Sequence, residues 1–231
     1  LFDDNKKVKG VATGDMGVSR DGSAKDSWES GMELHAKYTL FSEGTRGSLS
    51  KFLIENFNLS ENSDYQKYAI GLKELWEINE ENFDDGLVEH SMGWPLSDET
   101  KGGSFLYHFD KNLVSIGYVI HLNYTNPYVS PFDEFQQFKT HPSVKKVLKG
   151  GKRISYGARA ITTGGYQSVP KLYFPGGAII GCSAGFLNYP KIKGTHNAME
   201  SGMLAAEAII DNYISNNQEN RLVENEFHPL N

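Results

Sequence analysis

The sequence predicts an α/β body interrupted by an inserted antiparallel unit, so that α/β and α+β character share one chain. Three observations carry this. Glu33–Phe41 (ELHAKYTLF) is rich in β-formers, and SEGTRGS after it gives way to Leu49, Phe52, Leu53 and Phe57 at helical spacing. From Tyr65 to Tyr124, β-rich runs are separated by Gly, Asp and Asn, the spacing of an antiparallel sheet. Gly177–Gly181 is then a short, wholly apolar strand of the kind found inside parallel sheets. The expected division is residues 1–59, an insert over 60–150, and a return to the body over 151–231.

The elements follow in order. Val8–Thr13 reads as a short strand, and Gly14–Gly22 is rich in Gly, Asp and Ser and should turn. Glu33–Phe41 is the second strand, with a helix after it. Within the insert, YAIGLKELWEI, GLVEHSMGWPL, GGSFLYHF and LVSIGYVIHLNY are the strand candidates. SPFDEFQQFKTHPSVKKVL reads as helix, with Ser130 as cap and Pro131 in the first turn. His141-Pro142 should interrupt it. Asn197 to Ile214 is helical, and Gly202, Ala205, Ala206 and Ala208 keep its surface small for close packing on a sheet. The tail after Asn216 is polar and expected to fray.

The bulk numbers narrow the function. At 231 residues, 39% hydrophobic and 23% charged, this is an ordinary globular composition. The net charge of −6 disfavours a nucleic-acid partner. Cys182 is the sole cysteine, so neither an intrachain disulfide nor a four-thiolate cluster or zinc site can form within the chain. No apolar run reaches the roughly 18–20 residues of a membrane span, and no signal-peptide pattern is present. The first residue is Leu1, in the middle of a polar stretch, which suggests a processed or incomplete sequence.

Four stretches are candidates for chemistry. In GCSAGFLNYPKIKGTHNAMESGMLAA, a buried strand ends at Gly181 in small residues, and a helix begins near Thr195. Its first amides lack partners and its dipole is positive there, which suits an anionic ligand group such as a reduced flavin. A tight strand–helix junction without ligand explains the same residues. In SEGTRGS, Glu43-Gly44 and Arg46-Gly47 can bring amides and a guanidinium to a phosphate or ribityl chain, or Glu43 can be a surface acid. In KGGSFLYHF, Gly102-Gly103 could let a flat ring lie on the backbone, with Phe105, Tyr107 and Tyr118 as walls; a hairpin feeding a core strand is the alternative. KKVLKGGKRISYGARA concentrates Lys145, Lys146, Lys149, Lys152, Arg153 and Arg159, a solvated face or a surface for anionic lipid or pyrophosphate. The histidines show no metal spacing. Serine hydrolysis lacks a G-x-S-x-G elbow, and Cys182 has no base nearby in sequence to make it a nucleophile.

Together, GMELHAKYTLFSEGTRGSLSK, GGSFLYHF, NPYVSPFDEFQQFKTHPSVK and the run from Gly150 to Ile209 resemble one family, electron-transfer flavoprotein:ubiquinone oxidoreductase. The match extends from about Val8 to Ile210. The resemblance implies a membrane-associated (monotopic) flavoenzyme, an electron-transferring-flavoprotein dehydrogenase. In that family electrons pass from electron-transfer flavoprotein through a [4Fe–4S] cluster and FAD to ubiquinone. It implies a partial glutathione-reductase-like FAD-binding domain with an inserted antiparallel-sheet quinone-binding domain, at the mitochondrial inner membrane (matrix side) or the bacterial cytoplasmic membrane. By the same resemblance Glu43, Gly44, Arg46 and Gly47 match a FAD-contacting turn. Gly181, Cys182, Ser183, Ala184 and Gly185, with Lys193, Gly194, Thr195 and His196, match the segment along the isoalloxazine and ribityl. Thr162, Thr163 and Gly164 are expected near the flavin, and Gly102 and Gly103 match the pair that meets the quinone head group. No residue is expected to act as a catalytic acid or base, and no metal ligand is expected.

Two departures stand out. There is no G-x-G-x-x-G, and there is no cysteine quartet, so a [4Fe–4S] cluster is expected only in a C-terminal part not included here. The sites are therefore expected to be half-sites and the isolated segment inactive. Two other readings stay open: an isoprenoid-lipid (geranylgeranyl) reductase-like flavoenzyme, and a non-catalytic quinone-binding or subunit-contact module.

Overall fold

The computed structural model describes residues 1–214, Ile214 by its backbone alone; the expected frayed tail lies outside the described residues. The chain divides into two compact units, one made of residues 1–64 and 165 onward, the other of 65–164. The insert thus begins at Tyr65 and ends at Gly164, later than the expected boundary at 150. The reason is a strand over Lys152–Thr162 that pairs along its length with Tyr68–Glu77. Its Lys and Arg had marked it as a charged face, which hid its β character.

The body contains β1 (Gly10–Ala12), β2 (Met16–Val18), β3 (Ala24–Glu29), β4 (Glu33–His35), β5 (Thr39–Phe41) and helix α1 (Ser48–Asn56). The strand expected over Glu33–Phe41 is two strands. β4 pairs antiparallel with β1, whereas β5 pairs elsewhere. β2, within the region expected to turn, pairs with β3 just beyond it as a two-stranded hairpin.

The insert holds β6 (Tyr68–Glu77), β7 (Val88–Met92), β8 (Gly102–Phe109), β9 (Leu113–His121), α2 (Pro131–Phe138), α3 (Pro142–Leu148) and β10 (Lys152–Thr162). They form one antiparallel sheet in the order β10-β6-β9-β8-β7. Period-two alternation places Val114, Ile116, Tyr118 and Ile120 on one face, all buried, against Phe135 and Phe138 of α2 and Val144 and Leu148 of α3. The helices break as expected. The Ser130 hydroxyl accepts from the Asp133 amide at 3.3 Å, Pro131 opens α2, and α3 restarts at Pro142. Buried Glu74 anchors α2 from the sheet: it accepts from Lys139 Nζ at 2.9 Å, Trp76 Nε1 at 2.8 Å and Arg153 at 3.1 Å.

The body resumes with β11 (Tyr173–Phe174), β12 (Gly177–Ile179) and α4 (Thr195–Ile214). Its sheet runs β11-β12-β5, with β12 parallel to β5 and antiparallel to β11. The tight β11–β12 turn needs Gly176: its φ is +87°, and a Cβ there would stand 2.0 Å from the Val8 carbonyl oxygen. Phe174 lies between Phe57, stacked at 5.0 Å, and Phe41 at 5.9 Å, and this trio with Leu53, Ile179, Ala205 and Ala208 makes the body's core. Thr39 donates to Gly176 and Phe41 accepts from Ile180. By alternation, the N–H and C=O of Leu40 point to the other edge of β5, which pairs with no strand among the described residues. No described helix is long and apolar enough to cross a membrane.

Candidate functional site

In the body, the parallel pairing of β5 and β12 brings their C-terminal ends side by side. Each then runs into a loop, Ser42–Gly47 and Gly181–Gly185. Ser183 joins the two, its hydroxyl accepting from the Gly44 amide at 3.0 Å. Ser201, fully buried on α4, fixes the second loop: its hydroxyl accepts from the Gly181 amide at 3.0 Å and donates to the Ala198 carbonyl at 2.7 Å. Gly181 and Gly185 have φ of +63° and +85°, a conformation that side chains other than glycine rarely take. So Gly44, Gly181–Gly185 and, through α4, the Lys193–His196 start of the helix lie at one junction. Neither bridging serine's role could be read from sequence, because both depend on contacts between distant segments.

The glycines separate by function. A Cβ at Gly44 would meet nothing within 4 Å, and one at Gly181 only the Ala198 Cβ at 4.0 Å, so the floor of the junction is open. Gly47 and Gly194 are different. A Cβ at Gly47 would lie 2.4 Å from the Glu43 Cβ, and one at Gly194 would lie 2.7 Å from the Phe186 carbonyl oxygen. The chain itself fills those places. Cys182, Lys193, Thr195 and His196 are exposed around the floor, as is Arg46.

Glu43 is a helix cap. Its carboxylate accepts from the Leu49 amide at 3.3 Å, the Ser50 amide at 2.6 Å and the Ser50 hydroxyl at 2.8 Å. It thereby serves the first turn of α1, whose N-cap, Gly47, has no side chain to do so. Burial pushes its carboxyl up, but the Ser50 and Leu49 hydrogen bonds outweigh that and leave it below the usual carboxylate range. The first turn of α1 is thus already occupied by this chain's own anion.

Thr162, Thr163 and Gly164 belong to the other unit, at the end of β10. Both threonines are buried, and the Thr163 hydroxyl has no hydrogen-bond partner. The Gly164 amide donates to Gln66 Oε1 at 2.8 Å.

The second candidate surface is the sheet face opposite α2 and α3. Register places Met92, Gly103, Val119, Gly71 and Arg159 in one row across it, and His90, Phe105, Gly117, Lys73 and Gly157 in the next. Phe105 lies directly over Gly117, whose absent side chain it replaces: a Cβ there would be 2.2 Å from the Phe105 ring. Phe105 also packs on Tyr107 at 4.9 Å. The result is a glycine-floored surface beside Gly103, apolar around Phe105 and Val119 and flanked by His90, Lys73 and Arg159. Gly102 faces the other way, where a Cβ would meet the Val119 carbonyl oxygen at 2.4 Å and Leu96 at 2.5 Å; one at Gly103 would meet the Ser91 carbonyl oxygen at 2.7 Å. Close strand packing therefore requires both glycines whatever they bind. Tyr118 is not a wall of this surface. It is buried on the helix side and donates to the Gly93 carbonyl at 3.1 Å, and burial pushes its phenol up to about 12. Gly71, Gly117 and Val119 escaped sequence reading, because only the pairing register shows that they share a face with Gly103. Among the described residues no group of three His, Cys, Asp or Glu is placed to hold a metal ion.

Comparison with known proteins agrees with this division. Residues 68–161 match the family model for the ubiquinone-binding part of ETF-QO, nearly the limits of the inserted unit. The chain is 55% identical to the human mitochondrial electron transfer flavoprotein-ubiquinone oxidoreductase over 96% of its own length and 36% of that protein. It is 57% identical to the Pseudomonas aeruginosa protein of that name, over 91% of this chain and 38% of the relative. The resemblance read from the sequence thus holds along nearly the whole chain, which spans little more than a third of these relatives. Among solved structures, a geranylgeranyl bacteriochlorophyll reductase-like protein from Thermoplasma acidophilum shares the fold at TM-score 0.62 and 18% identity, over 80% of this chain and 43% of that one. The FAD-dependent myxobacterial chondrochloren halogenase CndH shares it at 0.59 and 16%, over 98% and 48%. The mixed α/β architecture with antiparallel sheet is therefore one found among flavin-dependent proteins.

Proposed function

We propose that this chain is a segment of an electron-transfer flavoprotein-ubiquinone oxidoreductase, its body part of a glutathione-reductase-like FAD-binding domain and its insert the ubiquinone-binding domain. The observation that carries the proposal is 55% identity over 96% of the chain, together with a ubiquinone-binding family match that falls on one structural unit. The complete enzyme oxidises reduced electron-transfer flavoprotein and reduces ubiquinone. It works from a membrane surface, the mitochondrial inner membrane on its matrix side or the bacterial cytoplasmic membrane.

The body fits FAD on one structural ground: the open floor over Gly44 and Gly181, beside the exposed first turn of α4. Gly44, Arg46, Gly181–Gly185 and Lys193–His196 would hold the cofactor, with Glu43 and Gly47 shaping the turn. FAD supplies reversible one- and two-electron chemistry when bound. The protein's share is to position, to exclude water and to place the α4 dipole, worth about 0.3–1 kcal/mol, near developing negative charge. The [4Fe–4S] ligands must come from polypeptide beyond this chain, because Cys182 is its one cysteine.

The ubiquinone head group is assigned to Gly102 and Gly103, with the surface of Phe105, Tyr107, Gly117 and Val119 beside them. A direct test is steric block. Gly103→Val presses on the Ser91 carbonyl and so also strains the strand pair. Val119→Trp, on the same face, changes no glycine. In the complete enzyme, either change should cut ubiquinone reduction roughly tenfold or more while flavin content stays at one per chain. Equal loss of flavin and of quinone reduction would contradict the assignment.

A further inference from the structure

Helix α4 carries two apolar faces; the body buries one and touches the other only at its end, where Lys37 Nζ lies 4.5 Å from the centre of the Tyr213 ring. Ser201, Ala205, Ala208 and Asn212 recur at steps of four, three and four, and all are buried. On the opposite side, Met199, Met203, Ala206, Ile210 and Tyr213 recur at steps of four, three, four and three, which keeps them within an arc of about 80°. These are exposed: Met199 by 65%, Met203 by 55%, Ile210 by 53% and Tyr213 by 65%. Gly202 lies at the edge of this stripe, where a Cβ would meet nothing within 4 Å. Glu200, Glu207 and Asp211 run along its other flank, all exposed.

We infer that the outward face of α4 is the docking surface for a helix of the polypeptide that extends beyond this chain, one with an apolar seam and a basic flank. The four-three repeat is the seam that a second helix fills. Gly202 and Ala206, four apart, let it approach closely, and the acidic flank sets the charge it must carry. A solvated helix of this length would not keep five apolar positions in register on its outer side. The choice of occupant rests on the proposed function. Relatives more than half identical to this chain run nearly three times its length, since it covers 36% of the human protein. The body also shows a second unfinished boundary, the outward N–H and C=O of Leu40 on β5.

Methionine oxidation reads the proposal directly, because susceptibility follows exposure. The 231-residue chain and the polypeptide expressed from the gene's own start to its own stop are exposed to dilute peroxide with a free methionine peptide as reference. Met199 and Met203 should oxidise close to the reference rate in the chain and roughly tenfold slower in the complete polypeptide. Met203→Gln with Ala206→Glu should restore oxidation of Met199 in the complete polypeptide and leave the unfolding midpoint of the 231-residue chain unchanged. Equal oxidation in both forms overturns the proposal. So does protection in the chain alone that grows with concentration, which assigns the face to a second copy, and so does a gene encoding nothing beyond these residues. Failure of the flavin or quinone assignment would appear in cofactor content and turnover, and would leave methionine protection as it is.

Discussion

Glu43 shows how one side chain can decide what a helix terminus is available for. Its carboxylate is held by three groups of α1, and Gly47 is small because that carboxylate needs the space. Glu43→Ala should destabilise the body by about 1 kcal/mol, as loss of a cap does. Gly47→Ala should cost a similar amount by displacing Glu43. Urea unfolding of the two variants checks this, and unchanged midpoints for both would remove the capping role. From sequence, Glu43-Gly44 and Arg46-Gly47 were legible as a turn between strand and helix. The carboxylate's destination was not, because it depends on the turn's path. The same holds for Ser183 and Ser201, whose partners lie 139 and 20 residues away.

Among the elements, α2 is held by the charge cluster at Glu74. Lys139 and Glu74 are 13% and 3% exposed, so removing Lys139 takes one ion-pair partner from a buried carboxylate and leaves it to Arg153 and Trp76. Lys139→Met should lower the stability of the inserted unit by about 2 kcal/mol, the scale of one hydrogen bond to a charged group. Acid should loosen the same unit in two stages. Burial holds His108 below its usual range, Asp84 and Glu89 only partly opposing it, and its Nδ1 accepts from the Asp84 amide. The unfolded chain therefore takes up a proton first, and stability falls as pH drops below about 6.5. Glu74 is desolvated, yet the hydrogen bonds from Lys139, Trp76 and Arg153 hold it below the usual carboxylate range. Its contribution is complete above about 4.5 and is lost as pH falls through its lowered value. Unfolding measured against pH should show both steps, and His108→Leu should shrink the upper one, to which His121, also held low by burial, contributes the rest; an upper step unchanged in the variant would contradict this. The α2–α3 pair was legible in Ser130, Pro131 and Pro142, whose signals are local. β10 was not, since its residues 152–160 are exposed on an edge strand and show no apolar alternation.

At the scale of the molecule, two units share one chain, and the spacing of the strand candidates placed the boundary better at the start of the insert than at its end. Composition and spacing alone left a flavin site and a tight junction equally open. The structure supplies the convergence of the β5 and β12 loops and the glycine-floored face beside Gly103. The most direct measurement is electron transfer by the complete polypeptide: reduced electron-transfer flavoprotein is supplied with a short-chain ubiquinone, and quinone absorbance and bound flavin are followed together for wild type and Val119→Trp. The account predicts quinone reduction by the wild type and its loss, with flavin retained, in the variant. A flavin-loaded wild type that leaves the quinone oxidised, or a variant that reduces it at the wild-type rate, would contradict it.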